Sequence, residues 1–160
     1  SEISWFDWSH RDSKLEAFVQ QMIALRKSSS LFNDLMLNDQ LLGESPFSTD
    51  EVRWYRTDGK ALEIADWNNP KLQTIGMLIS TTIKDPAVDL HLCDDYYLML
   101  FNASQHDVEF VLPANPTSGW QALCDTARYE GLLPAEQLMV KDSYLLLAQS
   151  VVVLGKAQAK

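Results

Sequence analysis

Near the start of the chain, apolar residues recur with a helical period; further on they alternate. Leu15, Phe18, Val19, Met22, Ile23 and Leu25 fall three or four positions apart and make one broad apolar face, which predicts an amphipathic helix. Ser13 and Glu16 have the spacing of a capping box, in which hydroxyl and carboxylate satisfy the orphan amides of the first turn. Arg26 and Lys27 suit the negative end of the helix dipole, and the serine run from Ser28 to Ser30 stops the helix. From Leu31 to Thr49 no single period holds, and Gly43 and Pro46 interrupt the chain. A connector is predicted there.

Beyond Thr49 the period becomes two. Val52 and Trp54 alternate with Arg53 and Tyr55, and Thr57-Asp58-Gly59 signals a turn towards a partner strand around Leu62–Ile64. Short apolar runs follow at Thr74–Ile79, Tyr96–Phe101, Val108–Leu112, Trp120–Leu123, Leu138–Val140, Tyr144–Ala148 and Val151–Leu154, with turn-forming residues between them. The pattern predicts a mostly β chain, an antiparallel β-sandwich preceded by one amphipathic α-helix. The helix is foreign to that plan. Burying six large apolar side chains is worth on the order of 10 kcal/mol as an upper bound, comparable with the net stability of a domain. Its face therefore requires a partner.

Thirteen basic against 22 acidic residues give a net charge of −9. Phosphate backbones demand clustered Lys and Arg, so nucleic acid is excluded as a partner, whereas a neutral polymer is not repelled. No apolar run reaches the roughly 18 residues of a membrane span. Glu2, Asp7 and Asp12 stand where a signal peptide needs basic and apolar residues. A cytoplasmic protein is expected, and Cys93 and Cys124 then read as two solitary buried thiols. The glycosylation triplet at Asn102-Ala103-Ser104 has no meaning in that compartment.

The chemistry-bearing residues are sparse. His10, His91 and His106 have no ligand spacing with each other or with the cysteines, so no metal is expected. Neither a nucleophile elbow nor a phosphate or dinucleotide fingerprint is present, and no cofactor is expected. Asp58, Asp85, Asp94, Asp95, Asp107 and Asp142 fall in turns, where Asp accepts local backbone hydrogen bonds, rather than as a rigid glycosidase pair. Aromatic rings remain as the candidate ligand surface, and Trp5, Trp8, Trp54, Tyr55, Trp67 and Trp120 could each stack on a sugar ring. Trp54 and Trp120 are expected in the sandwich core. Trp5 and Trp8, flanking Asp7 in a loop before the helix, are the candidate substrate contacts.

Taken together, these words resemble the C-terminal end of isoamylase-like glycogen debranching enzymes of the α-amylase superfamily. Glu2-Ile3-Ser4-Trp5-Phe6-Asp7-Trp8 is similar to the segment between the last barrel strand and the last barrel helix, and the helix ending Leu25-Arg26-Lys27 to the barrel's closing helix. Glu51-Val52-Arg53-Trp54-Tyr55, Asp58-Gly59 and Asp66-Trp67 resemble the first hairpin of the C-terminal domain. Later matches are Phe101 to Ser104, Val111 to Pro113, Trp120, Asp125-Thr126 and Ser150 to Leu154. Ser1 stands where the family usually has Asn, and Lys84–Asp94 departs from its pattern.

The resemblance implies that residues 1–45 are the end of a barrel and residues 46–160 an α-amylase-type C-terminal sandwich. It also implies hydrolysis of α-1,6 branch linkages in glycogen by a retaining mechanism, with the catalytic carboxylates on barrel strands before Ser1. No catalytic residue is therefore expected here, and the chain alone should hydrolyse nothing. The barrel is its expected partner, with Trp5, Asp7 and Trp8 at the cleft, since barrel active sites lie where strands end and helices begin. Two rival readings are an α-glucan-binding module and an autonomous interaction domain. With its helix severed from a barrel, the chain is expected to cover the helix face by folding back or as a homodimer.

Overall fold

The computed structural model of the chain describes residues 5, 7–28, 52–80, 96–113, 119–128 and 139–156. Among the described residues eight strands follow one long helix, one strand fewer than the patterning predicts: α1 (Ser13–Ser28), β1 (Val52–Tyr55), a one-turn α2 (Ile64–Trp67), β2 (Thr74–Ser80), β3 (Tyr96–Asn102), β4 (Val108–Val111), β5 (Trp120–Asp125), β6 (Met139–Val140), β7 (Ser143–Leu146) and β8 (Ser150–Lys156). The connector at 31–49, Cys93 and the stretch 84–94 lie outside the described residues.

Six strands form one sheet in the order β1-β2-β3-β8-β5-β6, and β4 pairs with β7 in a second. Every pairing is antiparallel. The alternation seen in the sequence explains the layering. Leu98 and Leu100 of β3 are in register with Leu154 and Val152 of β8, and all four are fully buried. Phe110 and Leu146 of the small sheet, also fully buried, complete the core with Leu78, Ala122 and Trp120. The two sheets come close at Gly76, where an added Cβ would sit 2.8 Å from Phe110 Cζ. Only a residue without a side chain fits under that ring.

Two buried polar groups tie the layers together. The Asn102 amide donates to the carbonyls of His106 and Leu147 (2.9 Å each) and accepts from Thr74 Oγ1 and Ser104 N–H (3.0 Å each). A buried amide with this many partners carries no desolvation penalty, and it is not an exposed acceptor for a sugar chain. Asp125, also buried, accepts from Tyr144 Oη at 2.7 Å, Ala127 N–H at 3.0 Å and Arg128 Nε at 3.2 Å. Both groups join the large sheet to the end or face of β7.

The outward positions of the large sheet are also apolar. Ile75 and Met77, Met99 and Phe101, and Val151 and Val153 are in successive registers on the side away from the core, and all are partly buried. An antiparallel sheet with one wet face alternates apolar with polar residues, so this sheet is built to be covered on both sides. Helix α1 meets that outer side: Met22 Sδ lies 3.7 Å from Sγ of the buried Cys124, whose register partner is Val153.

Three expectations need correction. The helix is capped by Asp12 rather than Ser13, because Asp12 Oδ1 accepts from the amides of Lys14 (2.9 Å) and Leu15 (3.1 Å). The segment after the Gly59 turn pairs briefly, through Arg56 N–H to Lys60 O, the bridge of Tyr55 with Ala61, and Leu62 N–H to Trp54 O, before coiling into α2; the strand partner of β1 is β2. Trp54, opposite Met77, faces the outer side of the sheet and is only partly buried, whereas Trp120 is in the core as expected.

Candidate functional site

The loop before α1 is organised by one carboxylate. Asp7 accepts from the backbone amide of Ser9 at 2.9 Å, from the Ser9 hydroxyl, and from His10 Nδ1 at 2.6 Å, closing the 3-10 turn Trp8–His10. The Ser9 hydroxyl first, and His10 second, hold the Asp7 carboxyl below its usual range. Asp7 thus shapes the turn that displays Trp8. Trp5 and Trp8 are each 73% exposed. Both indoles are presented to solvent, Trp8 on the turn that Asp7 closes.

The same loop leads into α1, none of whose 16 residues is buried. Phe18, Met22 and Leu25 are half-covered on the side that meets Cys124, while Leu15 (58% exposed), Val19 (46%) and Ile23 (48%) lie one turn apart and open to solvent. At about 100° per residue, these two triplets are adjoining halves of the apolar face. The helix folds back on the sheet with one half and leaves the other unused.

A second aromatic cluster stands on the β1 hairpin. Trp54 meets Trp67 edge to face, with ring centroids 5.3 Å apart and planes at 82°. Arg56 reaches Asp58 at 2.7 Å and Asp66 at 3.6 Å, and the Glu63 amide donates to Asp66 at 2.8 Å. The hydrogen bond from Arg56 is the main cause that lowers the Asp58 carboxyl below its usual value. Patterning alone did not single out this cluster. Its signal was the Asp66-Trp67 pair following a Gly turn, at a point where the alternation stops.

The buried titratable groups are structural. Burial pushes the Cys124 thiol up to about 11, so it is inert at neutral pH. Burial, then the hydrogen bond to Asp125, pushes Tyr144 up to about 12. Among the described residues no three His, Cys, Asp or Glu side chains gather as a metal site, and no helix is long and apolar enough to cross a membrane.

With this architecture in hand, similarity to known proteins is informative. Residues 51–154, which span all eight strands but the last two residues of β8, match the family described as "Isoamylase, C-terminal". The chain belongs to the isoamylase C-terminal family. It is 31% identical over 164 residues to the "Glycogen operon protein GlgX homolog" of Mycobacterium tuberculosis (strain ATCC 25618 / H37Rv), covering 98% of this chain and 22% of that protein. The Mycobacterium bovis (strain ATCC BAA-935 / AF2122/97) homolog is similar to the same extent. The "Glycogen debranching enzyme" of Enterobacter sp. (strain 638) is 30% identical over 122 residues, covering 76% of this chain and 15% of that enzyme. The chain therefore spans about a fifth of the length of the mycobacterial proteins, and the similarity to them includes the loop and α1 as well as the sandwich.

Proposed function

We propose that this chain is the non-catalytic C-terminal part of an α-1,6-glucan hydrolase acting on glycogen in the cytoplasm, with residues 46–160 steadying a catalytic barrel that residues 1–45 complete. One observation carries the reading: the solvent-facing stripe Leu15, Val19, Ile23 on a helix otherwise seated on the sheet. A helix apolar over so wide an arc is normally covered on both halves, and the relatives have several times more chain to cover it. The isolated chain is expected to release no sugar from limit dextrin. In a polypeptide of the relatives' length ending in this chain, Leu15→Ser, Val19→Ser and Ile23→Ser together lower both Tm and debranching activity. An unchanged Tm would remove the reading.

Trp5, Asp7 and Trp8 are proposed to border the glucan cleft, Asp7 by holding the turn and the two indoles by contact. Replacing Trp8 with Ala in that longer polypeptide weakens glucan turnover severalfold and leaves Tm unchanged. Identical kinetics would eliminate the contact.

A further inference from the structure

Among the described residues a third exposed indole, Trp67, stands away from the loop before α1, on the β1 hairpin. It is 50% exposed and ends α2, while Ile64, at the start of the same turn, is 83% exposed. These are unusual residues to show to water, and both are held in place. Trp54 braces the Trp67 ring from the sheet, and α2 is fixed at its first residue by the bond from the Glu63 amide to Asp66. Asn68 Nδ2 returns to the Ile64 carbonyl at 3.1 Å, closing the turn. A surface ordered before any ligand arrives loses little entropy on binding.

The chemistry around the ring narrows what it can hold. One indole and one isoleucine fall well short of the ~800 Å² per partner that a standard protein interface buries. Arg56 bridges Asp58 and Asp66, and Asp66 precedes the indole in α2; Glu63, Asn68 and Asn69 flank it in the open. An apolar plate with a rim of fixed carboxylate and guanidinium groups matches a pyranose ring, whose C–H face is apolar and whose edge carries hydroxyls. A neutral polymer also tolerates the chain's charge of −9.

The geometry points to a surface sugar-binding site in which Trp67 and Ile64 are the platform and Arg56, Asp58 and Asp66 the hydroxyl-binding rim, with an α-linked glucan chain as ligand. The choice of an α-glucan over other pyranose polymers rests on the functional reading above; the platform itself does not. Holding a glucan here keeps the same polymer at high local concentration near a cleft elsewhere in the polypeptide.

Electrophoresis of the chain through gels with and without glycogen, together with maltoheptaose titration followed by tryptophan fluorescence, tests the site. The chain is retarded by glycogen. Trp67→Ala abolishes the retardation and weakens maltoheptaose binding about tenfold, while Trp67→Phe keeps part of both. Ile64→Ser, at a position too exposed to affect folding, weakens binding about twofold to threefold. Leu145→Ser, at an exposed apolar position on β7 of the small sheet, binds like the parent. Near-ultraviolet circular dichroism verifies that each variant is folded. Migration unaffected by glycogen, or undiminished retardation of both folded Trp67→Ala and Ile64→Ser, would overturn the proposal. So would loss of retardation in Leu145→Ser instead. Equal retardation by hydroxyethylcellulose would overturn the α-linked class. None of these results bears on the Tm of the longer polypeptide, so the two proposals fail independently.

Discussion

The sandwich and helix α1 solve the same problem to different degrees. In the sandwich, Leu98, Leu100, Phe110, Leu146, Val152 and Leu154 are completely withdrawn from water, and its buried polar hubs at Asn102 and Asp125 have their partners. In α1, side chains of equal apolarity stop halfway: Met22 reaches Cys124, but Leu15, Val19 and Ile23 face solvent. The difference teaches that, among the described residues, the sandwich closes its own core while α1 leaves half of its apolar face uncovered. A stability of the usual 5–15 kcal/mol is accordingly drawn from the β part.

The largest effect should come from the place where the two sheets meet. Phe110→Ala is expected to cost about 3–5 kcal/mol in urea unfolding of the chain. Gly76→Ala in the parent costs about 1–3 kcal/mol, because its Cβ would meet Phe110 Cζ at 2.8 Å. In the Phe110→Ala background the same change costs clearly less, since the obstructing ring is gone and only the 3.2 Å approach of Leu100 Cδ2 remains. Additive costs would show that the close approach is not what requires glycine.

The polar hub comes next. Tyr144→Phe removes a donor from buried Asp125 and should cost about 1–3 kcal/mol. Its pH dependence follows from Tyr144 being pushed up from 10.0 to about 12. A group whose folded value is raised gives stability that is complete below its unfolded value and is lost as pH rises through the folded one. Stability of the parent therefore declines from about pH 10 to 12, and Tyr144→Phe declines less over that window.

A smaller effect is expected in the helix. Asp12→Ala removes the acceptor of the Lys14 and Leu15 amides, at a cost of about 1 kcal/mol to α1. Far-ultraviolet circular dichroism should report partial loss of helix while the sandwich's urea midpoint stays within error. A matching fall in that midpoint would mean that α1 is an integral part of the cooperative unit.

Most of the strand plan was legible because large residues alternate cleanly. Tyr96–Phe101 and Val151–Leu154 read as strands, and the strands that hold them, β3 and β8, pair with each other. What alternation does not encode is which face is the core when both are apolar. Trp54 and Trp120 sit in similar patterns, yet Trp120 packs against Tyr96 in the core and Trp54 against Trp67 on the other side. The turn after Gly59 misled for a related reason: Leu62 and Ile64 have the spacing of a strand, but Glu63 and Asp66 start a helix between them. Within the candidate site, Trp5 and Trp8 stood out as loop aromatics, whereas the role of Asp7 depends on Ser9 and His10 curling back to it. The platform at Trp67 depends on a contact 13 residues away, to Trp54, that local patterning cannot reveal.

Native-state hydrogen exchange on the 160-residue chain tests the contrast between the two regions most directly. Amides of β3 and β8 should exchange only through global unfolding, while those of α1 should exchange about a hundredfold faster or more, through local opening of a helix lacking half its cover. Equal protection of α1 and β8 would contradict the account, because the helix would then be as fully housed as the core.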